Sequence, residues 1–97
     1  MMPDTTETTT TATTTVLCKV EPIMYGGLMA FKKITGEIKA GTYPDGVPIV
    51  TPGFQITHVI NLISTDGTKT GYYNISTKKI VGGLTGNFEM IALGVDN

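Results

Sequence analysis

The stretch that decides the fold is Phe54-Gln55-Ile56-Thr57-His58-Val59-Ile60-Asn61-Leu62-Ile63, closed by Asp66-Gly67. A period of two puts Phe54, Ile56, His58, Ile60 and Leu62 on one face and Gln55, Thr57, Val59, Asn61 and Ile63 on the other. That is the pattern of a half-buried β-strand, and Asp-Gly after it is a hairpin-type turn signal. On this reading His58 is a partly buried histidine on an apolar face, with a hydrogen-bond partner.

The same texture runs outward in both directions. Toward the N-terminus, Ile34, Gly36 and Ile38 alternate with Lys33, Thr35, Glu37 and Lys39, which predicts a strand within residues 28–40. Residues 16–25 read as extended, with Pro22 restricting them to a sheet edge, and Gly26-Gly27 breaks the chain. Residues 41–53, GTYPDGVPIVTPG, hold three Pro and three Gly, so they predict a turn-rich loop and argue against a central strand. Toward the C-terminus, Gly71–Ile75 and Lys78–Gly82 read as two short strands around Ser76-Thr77. Adjacent Tyr72 and Tyr73 must then face opposite sides, so one is a surface tyrosine. The last run has Phe88, Met90 and Ala92 on one face and Glu89, Ile91, Leu93 and Val95 on the other. Apolar residues on both faces predict a central or doubly covered strand. No window carries a 3.6-residue period, so no long helix is expected.

These elements predict an all-β domain over residues 16–97, a single small antiparallel β-sandwich of jelly-roll type or a partly closed barrel. Residues 1–15 are set apart. From Thr5 to Thr15, nine of eleven residues are Thr. Threonine resists helix and favours extended backbone, and no large apolar group is there to seed a core. This is an extended or disordered N-terminal arm, either a passive tail or a segment that orders on a partner. Fully extended, fifteen residues reach up to ~50 Å.

Composition limits the chemistry. The chain has 97 residues, which is one domain at most. Seven basic residues, all Lys, stand against eight acidic ones, for a net charge of −1. Such a chain has no basic face for a phosphate backbone and no Arg fork for guanine, so no nucleic-acid partner is expected. No apolar run reaches the ~18 residues of a membrane span, and residues 1–15 lack the charged and apolar regions of a signal peptide, so no membrane partner is expected either. One Cys, Cys18, excludes an internal disulfide, and one His excludes a multi-His metal site. Charged residues are only 15% of the chain, against about 25% in ordinary soluble domains, which points to permanent assembly. A core this small usually needs a staple, and oligomerisation or docking on a larger body is the device left.

No catalytic set emerges. His58 with Ser64 or Ser76 would place a base on an apolar strand face, and Cys18 with His58 lacks a third group. The carboxylates are scattered over turns, tails and outward strand positions. No phosphate-binding glycine loop or calcium loop is present. Without Trp, a stacked-sugar platform is disfavoured. The expectation is a non-enzyme with no cofactor and no metal site.

Several stretches taken in order carry a resemblance. They are Gly36-Glu37-Ile38, then Gly41-Thr42-Tyr43-Pro44-Asp45-Gly46-Val47-Pro48-Ile49, then Phe54-Gln55-Ile56-Thr57-His58-Val59. Gly71-Tyr72-Tyr73-Asn74, Lys78-Lys79-Ile80 and Phe88-Glu89-Met90-Ile91-Ala92-Leu93-Gly94 follow. Over residues 30–95 the chain resembles the small capsid-decoration or cement proteins of tailed bacteriophages, of the cyanophage and marine-phage type. The resemblance implies a β-sandwich, no catalysis and a place on the capsid exterior. Its implied partners are the major capsid protein and further copies of itself, as a dimer or trimer. A head-fibre, tail or baseplate component, or a host- or sugar-binding module, is the alternative. The candidate partner contacts are Thr8, Thr9, Thr10, Thr11, Thr13, Thr14 and Thr15 of the arm, Val16 and Leu17 after it, Tyr43 and Pro44 in the loop, and Tyr72.

Overall fold

The computed structural model describes residues 15–97, and the arm expectation for residues 1–14 lies outside them. Eight strands follow in order: β1 Val16–Leu17, β2 Lys19–Gly26, β3 Met29–Ile38, β4 Val47–Val50, β5 Phe54–Ser64, β6 Tyr72–Asn74, β7 Lys79–Val81 and β8 Gly86–Asp96. They form two four-stranded sheets, a small one in the order β1-β4-β7-β6 and a large one in the order β2-β3-β8-β5. The domain is an all-β, open two-sheet sandwich and not a closed barrel. Among the described residues there is no helix.

The large sheet is antiparallel throughout and built on β8, which pairs with β3 from Ile38↔Gly86 to Ala30↔Gly94 and with β5 from Ser64↔Phe88 to Phe54↔Asp96. Phe88, Met90 and Ala92 point inward and are fully buried, as their alternation predicts. They meet Ile34 and Ile38 of β3 and Phe54, Ile56 and Leu62 of β5 in one core with Val47, Ile49, Tyr73 and Ile80 of the small sheet. Pro22 lies in β2, an edge strand, where a missing N–H costs least.

Two glycines let the layers close. A Cβ on Gly36 would sit 2.9 Å from Val16 Cγ1 and 3.0 Å from Phe88 Cζ, so its absence is the notch through which β1 packs onto the large sheet. A Cβ on Gly94 would collide with the Gln55 carbonyl oxygen and come within 2.7 Å of Phe54 Cζ.

Residues 16–25 are extended, as expected, but in two strands: the chain changes sheet at the buried Cys18, whose N–H donates to the Val50 carbonyl at 2.9 Å. β1 runs parallel to β4, and no hairpin joins them, since β2 and β3 lie between them in the chain. The loop 41–53 contains a strand, β4, which carries Pro48 inside the small sheet. Its ladder explains the tolerance. β7 pairs with Val47 and Pro48, whereas β1 pairs with Ile49 and Val50, so Pro48 has a neighbour on one side only and behaves as an edge residue.

The largest correction falls on the strand that sets the fold. β5 carries two register shifts against β8, with Thr57 and Ile60 as the extra residues. Each bulge inverts the alternation. Between them Val59 faces Ala92 and packs on the core, while His58 pairs with outward-facing Leu93 and is exposed. Ile60, expected inside, is 58% exposed. The Thr57 hydroxyl donates to the Leu93 carbonyl at 3.0 Å and pins the first bulge.

Gly94→Ala should lose roughly 2–4 kcal/mol, because the added methyl meets backbone rather than a movable side chain. Chemical denaturation of both proteins checks this; a loss under about 0.5 kcal/mol would mean that β5 and β8 are not this close.

Candidate partner-contact surface

The expected contact residues do not converge on one patch. Thr15 is exposed at the entry to β1. Val16 is buried at 8% exposure and belongs to the core, so it is not free to touch a partner. Leu17 is 72% exposed beside Val50, its register partner, on the outer face of the small sheet. Tyr72 is 64% exposed on the same face, with Tyr73 buried beneath, as two adjacent strand residues require. Leu17 and Tyr72 nonetheless lie on opposite edge strands, three inter-strand spacings or roughly 14 Å apart. Tyr43 is half-buried against the core, and its hydroxyl donates to the Lys39 carbonyl at 2.7 Å. With Gly46 N–H donating to its own carbonyl at 3.0 Å, Tyr43 braces the loop that carries exposed Pro44. Thr8, Thr9, Thr10, Thr11, Thr13 and Thr14 lie outside the described residues.

Two exposed apolar surfaces appear that sequence reading did not single out. One is the β2–β3 hairpin. From Pro22 to Phe31 it carries no charge, and Ile23, Met24, Tyr25 and Leu28 are all more than half exposed. The other is a depression between β5 and β6, lined by Ile60, Asn61, Thr70 and Tyr72, which the second bulge creates by turning Ile60 outward.

The ionisable groups of the body serve the fold. Lys32 has the inward parity of Ile34, and its ammonium lies 2.5 Å from the Asp96 carboxylate, 4.9 Å from the Phe54 ring centre and 5.6 Å from that of Tyr25. It thereby joins all four strands of the large sheet at one end of the core. The hydrogen bond it donates to Asp96 holds the ammonium charged above the ordinary lysine range, against the cost of burial. This contribution is complete below about pH 10.4, the value of a free lysine, and is lost as pH rises past the folded value. Parity was the signal for Lys32; its charge masked it. The Asp66 carboxylate accepts from Thr68 Oγ1 at 2.6 Å, Thr68 N–H at 3.0 Å and Ser64 Oγ at 2.7 Å, which lowers it to about 2 and locks the turn after β5. Burial pushes the Cys18 thiol up to about 11 and keeps it a neutral core group. The exposed His58 ring lies 3.2 Å from Thr57 Oγ1 through Nδ1.

No family model, curated protein or solved structure matches the chain.

Because the bulge turns His58 into solvent, His58→Gln should change stability by no more than about 0.5 kcal/mol. Lys32→Met should cost roughly 1–3 kcal/mol, because it strips a buried charge partner from Asp96. Equilibrium unfolding of the two variants checks the pair; the reverse order would restore a buried His58.

Proposed function

We infer that the protein is a phage virion structural protein that decorates the capsid exterior and cements the shell by binding between major capsid subunits. The reading starts from the motif resemblance over residues 30–95. The observation that carries it in the structure is where the arm joins the body. The chain enters at Thr15 directly into β1, a two-residue edge strand, beside exposed Leu17 and Val50. An arm leaving a sheet edge next to an apolar pair is built to extend contact from the body onto a neighbouring surface. Main-chain hydrogen bonds and threonine methyl groups would supply the contact, and the preference of threonine for extended backbone would lower the ordering cost. Asp4 and Glu7 are the only charged side chains before Lys19, so salt should weaken docking little.

Val16 sets where the arm ends. Deleting residues 1–15 should leave the circular-dichroism spectrum and the oligomeric state unchanged, while lowering occupancy on capsids and their resistance to heat. Extending the deletion through Leu17 removes buried Val16 from the Gly36 notch and should destabilise the body by roughly 1–3 kcal/mol. Binding to purified capsids, read by co-sedimentation and particle melting, tests the reading. Full occupancy by the truncated protein would make the arm a passive tail; no binding by the intact chain would remove the capsid assignment.

A further inference from the structure

One part of the outer face of the large sheet has the composition of an interior. A sheet with one face on a core and one in water alternates apolar inside with polar outside. Here Met24 of β2, Phe31 of β3 and Leu93 of β8 form one outward row, in register across three strands. Ile91 and Val95 flank Leu93 on β8, and Met29 flanks Phe31 on β3. β8 is therefore apolar on both faces, yet only its inner face is covered by another layer of this chain. The patch continues onto the hairpin tip through Ile23 and Leu28, the last 93% exposed.

We propose that this face is a two-fold interface, on which a second copy of the same chain packs sheet against sheet. Three observations select that occupant. The first is size. With Ile23, Met24 and Leu28 more than half exposed and Phe31 and Leu93 half-buried, the patch offers on the order of 500–700 Å² per copy. Two copies would bury roughly 1,000–1,400 Å², enough for a specific contact. The second is charge. Beside the patch Glu21 sits between Lys19 at 3.5 Å and Lys33 at 3.8 Å, which leaves this trio a net charge of only +1. So small a charge repels an identical surface weakly and gives a strongly charged partner little to hold. No free lysine lies between Pro22 and Phe31 to hold an anionic lipid headgroup. The third is the state of the edges. β2 is blunted by Pro22 and a register shift beside it, and β5 by two bulges, so the large sheet is protected against edge-to-edge pairing while its face stays open. Face packing at about 10 Å then gives the closed, self-complementary contact of a two-fold dimer, apolar at the centre and polar at the rim.

This inference is independent of the capsid reading, since it concerns the isolated protein and the capsid reading fails separately if particles are not bound. Light scattering on the intact chain should give twice the 10.3 kDa monomer mass, with a melting temperature that rises with protein concentration. Leu93→Lys and Met24→Glu should each give the monomer mass and remove the concentration dependence, and Tyr72→Ala, on the other sheet, should stay dimeric. Met24 is 58% exposed on an edge strand, so Met24→Glu keeps its fold even if Leu93→Lys does not, and circular dichroism confirms this. A monomer at every concentration, or a dimer that survives Met24→Glu, overturns the proposal. So does a monomeric protein that floats with phosphatidylcholine–phosphatidylglycerol vesicles.

Discussion

The packing of β8 between β3 and β5 is the interaction on which the rest of the molecule depends. Its inner residues Phe88, Met90 and Ala92 are fully buried, and its backbone closes both ladders of the large sheet. Without it β3 and β5 have no common neighbour, and the small sheet has no floor. The Gly36 notch accepts both Val16 from β1 and the Phe88 ring, so even the join between arm and body is referred to this strand. Lys32 and Asp96 fasten its far end. The chain must thus be almost complete before its core exists, and most of the native pairings join residues distant in sequence, a topology that folds slowly.

Much of this was legible in the residues. Alternation located β3, β5 and β8, Pro22 marked β2 as an edge, and adjacent Tyr72 and Tyr73 divided correctly between surface and core. What failed did so for local reasons. A period of two cannot report a bulge, and β5 holds two, so His58 and Ile60 were assigned to the wrong side while Val59 took the inner place. Pro48 argued against an interior strand, yet the staggered ladders of β1 and β7 leave it one neighbour. Lys32 was not singled out, although its parity with Ile34 points inward. The contact surface was the least legible part. Exposed apolar residues and buried ones look alike in a sequence, and the hairpin Ile23–Leu28 reads as ordinary strand until its neighbours are known.

The body presents two separate apolar regions, on opposite outer faces of the sandwich. On the small sheet they are Leu17 and Val50; on the large sheet, Met24, Phe31 and Leu93 beside the hairpin tip. The proposed function and the proposed two-fold contact would give each a use, one surface for a capsid lattice and one for a second copy of the chain. The low charge content read from composition fits such a division, since less of the surface is left to water.

Amide hydrogen exchange of the intact chain tests the central place of β8 most directly. Its amides and those of β3, paired on both sides, should exchange last and together, through global unfolding alone, with β6, β7 and the hairpin tip opening earlier. Protection in β6 and β7 that outlasts protection at Phe88, Met90 and Ala92 would contradict it.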